Sequence, residues 1–234
     1  AREKATEAWK ILELGKTIPG YLAKSESLKD MNTAMNSDAV QAIIKEALRT
    51  DTDLPLYVVC GGGLTNIDSA YLLEPKISEK LILIWMGGPE YDDLALPPPG
   101  YTPLEYNLGI DKVAAQVIFN NSEIALWQVP RNVYRQPIMS HAELMVRVNN
   151  KGELGNYLAQ TMKETFKKMN SWKIPAGETY IMGDNPLVLL TALQSSFEPD
   201  PSSSPYMIKR APKINNDGLY EINLSGRNIR VYEH

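Results

Sequence analysis

Three short apolar runs, each ended by a turn, organise the hydrophobic pattern of the chain. The first, Leu56–Cys60, stops at three glycines, and apolar residues with helical spacing follow from Thr65. The second, Leu81–Met86, also stops at glycines, and the third, residues 124–129, stops at a proline. Apolar runs of this length are typical of strands buried on both faces of a parallel sheet, and Leu81–Met86 is apolar throughout. Strands that alternate with helices predict an α/β fold, a doubly wound domain with a mostly parallel, open sheet.

Helical spacing of apolar residues predicts the elements around these runs. The predicted helices cover residues 2–15, 37–48, 65–73, 111–120, 140–148, 153–169 and 187–193. Ser37 and Asp111 are suited to cap two of them at the N-terminus, and Gly15 to end the first. Because no repeat or linker interrupts the pattern, we expect a single domain over residues 1–234.

The later part of the chain predicts more strands. Residues 179–182 predict a fourth strand, which stops at Gly183. Residues 206–209, 219–224 and 229–232 predict short antiparallel strands around two turns. We therefore expect a short antiparallel C-terminal extension of the sheet domain.

Composition and charge narrow the classes of function. The 234 residues include 24 Lys and Arg against 28 Asp and Glu, a formal net charge of −4. This balance argues against a nucleic-acid partner, and no apolar run approaches the roughly 20 residues of a membrane span. A single cysteine, Cys60, excludes an internal disulfide and favours a reducing compartment. With no visible signal peptide, we expect a cytoplasmic location unless an upstream signal is missing.

The turns at the strand ends carry the candidate chemistry, because ligands of open α/β sheets bind at the carboxyl ends of the strands. The glycines at 61–63 allow close approach to the backbone, and the alternative is a tight turn without a ligand. Glu105 and Asn107 offer a carboxylate and an amide to a polyhydroxylated ligand, or belong to a surface loop with a capping Asn. Asp184 is either a metal or catalytic carboxylate or a helix cap.

Five motifs resemble those of the inosine–uridine-preferring nucleoside hydrolases. C-G-G-G-L-T-N at 60–66 is similar to the family's T-G-(G/P)-L-T-N turn, and W-M-G-G at 85–88 to its V-x-M-G-G strand end. T-P-L-E-Y-N at 102–107, D-K-V-A-A at 111–115 and G-D-N-P at 183–186 resemble T-P-A-A-E-F-N, D-P-E-A-A and H-D-P. The resemblance implies a nucleoside hydrolase-like, Rossmann-like fold.

The resemblance also implies an activity, which is calcium-assisted hydrolysis of the N-glycosidic bond of a ribonucleoside or related riboside. It assigns Asp184 and the main-chain carbonyl of Gly61 to Ca²⁺. Met86, Glu105 and Asn107 are assigned to the sugar. The implied partner is a small-molecule nucleoside or riboside. A homo-oligomer, or an upstream fragment of the same protein, is a second kind of partner that fits the resemblance.

Two departures from the family pattern bear on the chemistry. The amino-terminal D-x-D-x-x-x-D-D cluster, which supplies most metal ligands and the general base, is absent from this sequence. We therefore expect the catalytic base, most of the metal shell and a first strand to lie in a missing segment. Gly183 stands where the family has His, so the leaving-group acid is unassigned, with Tyr134 and Arg135 as candidates.

Two other functions are alternatives to an N-glycosyl hydrolase. A non-catalytic nucleoside- or sugar-binding member of the same fold would have lost the chemistry and kept the pocket. An unrelated doubly wound protein would instead bind phosphate at residues 61–63.

Overall fold

A computed structural model of the protein describes residues 2–13, 18–23, 26–171, 177–192 and 204–233. The chain divides into two units, one comprising residues 1–20 and 137–182 and the other residues 21–136 and 183–234. The single domain expected over residues 1–234 stays a prediction.

The elements follow the predicted alternation. The strands are β1 (Leu56–Cys60), β2 (Leu81–Met86), β3 (Ala125–Val129), β4 (Ile138–Ser140), β5 (Thr179–Ile181), β6 (Tyr206–Arg210), β7 (Lys213–Ile214), β8 (Tyr220–Glu221) and β9 (Asn228–Tyr232). The helices are α1 (Arg2–Ile11), α2 (Asp38–Ala47), α3 (Thr65–Leu73), α4 (Tyr106–Ile110), α5 (Lys112–Gln116), α6 (Arg131–Tyr134), α7 (His141–Arg147), α8 (Gly152–Ser171) and α9 (Asn185–Ala192). A 3₁₀ helix covers Pro75–Glu79, and a π-helix covers Val117–Asn121.

The larger unit is built on a five-stranded sheet with the order β1-β2-β3-β9-β6. The first three pairs are parallel, with Cys60 opposite Trp85 and Met86 opposite Val129. The last pair, β6 with β9, is antiparallel, and β7 with β8 forms a separate antiparallel pair. The predicted doubly wound, mostly parallel sheet is confirmed. The C-terminal strands add to its edge.

Side chains point alternately to the two faces along each strand, so both faces of this sheet carry apolar residues. Helices pack against both faces. Leu83 and Trp85 of β2 belong to a core cluster with residues of α2, α3 and α5. Ile84 and Met86 belong to a second cluster with residues of α6 and α9. The carboxyl ends of β1, β2 and β3 are thereby fixed against helices on either side.

The two predicted N-terminal helix caps are present. Ser37 Oγ accepts a hydrogen bond of 3.3 Å from the main-chain N–H of Val40, at the start of α2. Asp111 Oδ1 accepts one of 3.0 Å from the N–H of Ala114, at the start of α5. The predicted cap at Gly15 lies outside the described residues, and so does the end of the last predicted helix at residue 193.

The smaller unit contains α1, α7, α8 and the antiparallel pair β4–β5, in which Ile138 lies opposite Ile181. The strand predicted at residues 179–182 is present as β5, and it pairs with β4 of this unit instead of joining the five-stranded sheet. β9 occupies the position beside β3 instead, and the three-residue strand β4 was not predicted. In the described part of the chain, no helix combines the length and the apolar character needed to cross a membrane.

Candidate active site

Asn107 and Met86 fix the carboxyl end of β2. The Asn107 side-chain amide donates a hydrogen bond of 2.8 Å to the main-chain carbonyl of Met86. The Met86 side chain is buried in the core cluster with Trp127 and Leu187. Asn107 is itself buried, so this amide ties α4 to the strand end, where ligands of α/β sheets bind.

Glu105 is fully buried and caps α4. Its carboxylate accepts hydrogen bonds from the main-chain N–H groups of Gly88 (2.8 Å), Asn107 (3.0 Å) and Leu108 (3.0 Å) and from the hydroxyl of Tyr134 (2.8 Å). A carboxylate has about four lone-pair sites, so these four donors fill it. The cap of this helix is therefore Glu105, whereas the sequence had suggested a capping Asn.

Gly88 has to be a glycine for this arrangement. Its φ is 88°, in the left-handed region that residues with a Cβ rarely adopt. A Cβ there would also collide with the hydroxyl of Tyr220 and the amide of Gln128. The glycine thus lets the chain turn sharply after β2 and present its N–H to Glu105.

Tyr134 links the Glu105 site to the turn before α9. Burial, together with the adjacent charge of Glu105, raises the pKa of Tyr134 above its ordinary value. A Cβ built on Gly183 would lie 3.8 Å from Tyr134, an ordinary contact distance. The phenol therefore lies beside the position where the family pattern has His. Its raised pKa makes it a weaker acid than a free tyrosine.

Arg135, the other candidate acid, makes a different set of contacts. Its guanidinium lies over the ring of Tyr101, 4.7 Å from the centroid. Its Nε is buried without a hydrogen-bond partner in the described part of the chain. An arginine does not give up its proton in proteins, so Arg135 is suited to stabilise negative charge.

Asp184, which directly precedes α9, lies next to Gly61, which directly follows β1. A Cβ built on Gly61 would lie 3.3 Å from Oδ1 of Asp184 and 3.3 Å from Cδ1 of Leu187. Both Asp184 and Gly61 are exposed. Although Asp184 is accessible to solvent, the protein atoms around it partly desolvate its carboxylate and raise its pKa above the ordinary value. The pairing that the sequence implied for a metal site is thus present as a spatial contact, and its chemical role stays a prediction.

The described residues do not fit a calcium site by themselves. Ca²⁺ takes six to eight oxygens. The described ranges contain no group of three or more His, Cys, Asp or Glu side chains that could hold a metal ion. Asp184 and a Gly61 carbonyl would supply two or three oxygens, so a full shell needs further ligands.

Sequence reasoning missed a buried ion pair that holds the loop after β2. Arg131 binds both carboxylate oxygens of Glu90, at 2.8 and 2.6 Å, and both side chains are 3% exposed. Arg131 also donates to the carbonyl of Thr102, at 2.9 Å, and lies over the ring of Tyr101. The sequence offered no signal for this pair, because the two charges are distant along the chain and neither belongs to a motif.

A second unpredicted feature is the buried carboxylate of Asp68 on α3. Asp68 is fully buried, and neither of its oxygens has a hydrogen-bond partner among the described residues. Burial and the nearby charge of Asp111 raise the pKa of Asp68 to about 8. Asp111, in contrast, accepts hydrogen bonds from Thr65 Oγ1 (2.6 Å) and the N–H of Leu28 (2.9 Å). In the sequence, the signal for this buried carboxylate is an acidic residue within the apolar pattern of α3.

Comparisons with known proteins agree with the resemblance in the sequence. The model of the inosine-uridine preferring nucleoside hydrolase family matches residues 2–219. Among curated proteins, none matches the chain.

Solved structures share the fold. The inosine-uridine preferring nucleoside hydrolase from Bacillus anthracis is 16% identical, with a TM-score of 0.53, and the match covers 86% of this chain and 61% of that protein. An inosine-guanosine nucleoside hydrolase is 17% identical, with a TM-score of 0.60, and the match covers 86% of this chain and 64% of that protein. The matches thus span less than two thirds of either solved protein. Because the family model matches nearly the whole chain, this protein belongs to the inosine-uridine preferring nucleoside hydrolase family.

Proposed function

We propose that this protein takes part in the hydrolysis of the N-glycosidic bond of a ribonucleoside or related riboside. The observation that carries the proposal is a set of contacts near the end of β2. Glu105 accepts a hydrogen bond from the N–H of Asn107, whose side chain donates to the carbonyl of Met86. Tyr134 donates to Glu105 and lies beside Gly183. Carboxylates near a departing base stabilise the positive charge that develops on the sugar during this reaction.

In this proposal Glu105 and Asn107 hold the sugar hydroxyls, and Met86 lines the sugar pocket. Three of the four donors to Glu105 are main-chain N–H groups, fixed by the turn after β2 and by the start of α4. The fourth, the Tyr134 hydroxyl, comes from a partly buried side chain. A sugar hydroxyl reaches Glu105 by replacing Tyr134, because a side-chain donor can rotate away while the main-chain donors cannot.

Asp184 and the Gly61 carbonyl are proposed as the part of the metal site that this chain supplies, with Ca²⁺ as the ion. Asp184 is exposed and lies against Gly61, as a ligand for an external ion has to be. We infer that the remaining ligands and the general base come from an acidic segment outside the present sequence, of the D-x-D-x-x-x-D-D type. This inference rests on the absence of that motif from the sequence.

The alternative function is a non-catalytic binding protein for nucleosides or sugars. Gly183 favours it, since the imidazole that the family pattern places there is absent.

One experiment separates the two functions. The present chain, and the same chain joined to the D-x-D-x-x-x-D-D segment of a solved relative, are assayed for ribose release from nitrophenyl riboside with Ca²⁺ present. The hydrolase proposal predicts turnover by the extended chain and its loss in Asp184→Asn. Asp217→Asn, at an exposed position outside the site, serves as the matched control. A folded extended chain that binds the riboside and never releases ribose would establish the binding protein instead.

A further inference from the structure

Hydrogen bonds hold the turn Gly87–Gly88, which directly follows β2. The N–H of Gly87 donates to the carbonyl of Val129 (3.1 Å), and the carbonyl of Gly88 accepts from the N–H of Arg131 (3.0 Å). The carbonyl of Gly87 accepts from the side-chain amide of Gln128 (2.8 Å). Of these three partners, Gln128 is the one that uses a side chain, so its contact depends on the identity of the residue.

The N–H of Gly88 ties Glu105 to the end of β2. The carboxylate of Glu105 also accepts the N–H groups of Asn107 and Leu108, but both belong to α4, the helix that Glu105 caps. They fix the carboxylate relative to its own helix. The Gly88 N–H, at 2.8 Å, fixes it relative to the strand end. The direction of this N–H therefore decides where the carboxylate lies beside β2.

Gln128 and Glu105 bind the two ends of one peptide group. The carbonyl of Gly87, which accepts from Gln128, and the N–H of Gly88, which donates to Glu105, belong to the same planar trans peptide. Because the two groups point in opposite directions in such a plane, a partner that fixes the carbonyl also fixes the N–H. The peptide lies between two glycines, so no Cβ hinders its rotation, and it needs such a partner.

Gln128 is a polar residue at a fully buried position of β3. It lies opposite Trp85 of β2 and Val231 of β9, so a strand covers it on either side. An amide without partners would cost free energy at such a position, and an apolar side chain would fill the space without that cost. The amide at this position therefore indicates a task other than packing.

Two tyrosines set the direction of the Gln128 amide. The hydroxyl of Tyr91 donates to Oε1 of Gln128 (2.7 Å), so this end of the amide is the acceptor. Nε2 points the other way and donates to the carbonyl of Gly87 (2.8 Å) and the hydroxyl of Tyr220 (2.7 Å). Both N–H groups of the amide are thus used. A reversed amide would place its oxygen against the carbonyl of Gly87, with no proton between the two acceptors.

We propose that Gln128, oriented by Tyr91, is a positioning residue of the candidate active site. It holds the peptide between Gly87 and Gly88 so that the N–H of Gly88 keeps Glu105 in place for the sugar. This inference rests on the proposed function, because Glu105 is assigned to the sugar there. Gln128 acts through this peptide and not by contact with the sugar.

Hydrogen exchange measured by NMR on the 234-residue chain tests the proposal without any need for turnover. Gln128→Met keeps the length of the side chain and removes the amide. We expect the Gly88 amide to exchange about tenfold faster relative to the amides of the β1–β2 ladder, the equivalent of one ordinary hydrogen bond. A merely structural role would raise the exchange of both sets of amides alike.

Gln116→Met is the matched control. Gln116 is also buried, and its amide donates to Oδ1 of Asn216 (3.1 Å) instead of to the turn. This variant should leave the exchange ratio of the Gly88 amide unchanged. The same increase in both methionine variants, or no increase in Gln128→Met, would overturn the proposal.

Tyr91→Phe provides a second variant, because it removes the donor that orients the amide and keeps the ring. It should also raise the exchange ratio of the Gly88 amide. Tyr71→Phe, which removes a hydroxyl bonded to the carbonyl of Asn121 (3.0 Å), should not. Equal ratios in the two phenylalanine variants would contradict the orienting role of Tyr91.

Ribose binding by the extended chain separates this proposal from the proposed function. Gln128→Met should weaken ribose binding by about tenfold in calorimetry, and Gln116→Met should not. If Gln128→Met binds ribose as tightly as the wild type does, the positioning role is overturned and the proposed function stands. If the extended chain neither binds nor cleaves a riboside, the proposed function fails, and the exchange of the Gly88 amide alone decides whether Gln128 holds the turn.

Discussion

The hydroxyl of Tyr134 donates a hydrogen bond of 2.8 Å to Oε1 of Glu105, the carboxylate that the family resemblance assigns to the sugar. The contact joins α6, which follows β3, to the N-cap of α4, and the two residues are 29 positions apart in sequence. Burial, and then the neighbouring charge of Glu105, raise the pKa of Tyr134, so the phenol holds its proton tightly. Tyr134 is therefore better suited to occupy a sugar-hydroxyl position than to act as a leaving-group acid.

Tyr134→Phe distinguishes these two roles. If the hydroxyl occupies the sugar site, its removal frees one acceptor of Glu105, and ribose should bind more tightly by about tenfold, the equivalent of one ordinary hydrogen bond. Calorimetry with ribose on the extended chain measures the change. If Tyr134 were the acid, the variant would bind ribose as before. It would then lose turnover of inosine and keep that of nitrophenyl riboside.

The local parts of the fold could be predicted from the sequence. The strands β1 and β2, their glycine turns and the caps at Ser37 and Asp111 depend on neighbouring residues, whose pattern is visible in the chain. The place of β9 could not be predicted, because a short apolar run shows neither its partner nor its direction. The filled carboxylate of Glu105 could not be predicted either, since Gly88 and Tyr134 reach it through the tertiary structure.

Asp68 makes the stability of the fold depend on pH. Its folded pKa, about 8, lies above the ordinary value of 3.8. The folded state therefore keeps a proton that the unfolded state releases. The free energy of unfolding should fall as the pH rises from about 4 to about 8, by up to about 1.4 kcal/mol per pH unit, and level off above that range.

Asp68→Asn cannot ionise and should flatten this part of the pH profile. Urea unfolding at several pH values measures it, and Asp217→Asn, at an exposed position, should keep the wild-type slope. A slope that survives in Asp68→Asn would show that other groups cause the pH dependence.

The ion pair of Glu90 with Arg131 should affect the free energy of unfolding far more than an ion pair on the surface does. Glu90→Gln leaves a buried guanidinium charge without its counter-charge, which costs about 3–5 kcal/mol of unfolding free energy. Glu46→Gln breaks the exposed pair with Arg49, which solvent screens, and should change the free energy of unfolding far less. Chemical denaturation of both variants gives the comparison, and similar losses would contradict the buried role of Arg131.

The glycine at position 183 leads us to predict that the extended chain prefers substrates with a good leaving group. Without an imidazole before Asp184, the extended chain should cleave nitrophenyl riboside far better than inosine, because nitrophenol leaves with little need for protonation. Gly183→His adds an imidazole beside Tyr134, where a Cβ meets no closer contact than 3.8 Å. It should raise the rate on inosine by about tenfold or more and change nitrophenyl riboside little. Gly183→Asn, of similar size but without a titrating group, should give no such gain. Equal wild-type rates on both substrates would mean that a competent acid is already present.

Calcium binding tests the composition of the metal site. Asp184 and the Gly61 carbonyl offer at most two or three of the six to eight oxygens that Ca²⁺ takes. The 234-residue chain should therefore bind Ca²⁺ weakly or not at all in calorimetry. Addition of an amino-terminal segment with two or three aspartates should restore tight binding, because its carboxylates complete the shell.

Asp184→Ala in that extended chain should abolish Ca²⁺ binding, whereas Asp217→Ala, at an exposed position, should leave it intact. Both variants remove one carboxylate, so a difference between them reflects coordination and not net charge. Circular dichroism confirms that each variant is folded before titration. Tight stoichiometric binding by the 234-residue chain alone would contradict this account, because it would require a set of ligands that Asp184 and Gly61 cannot provide.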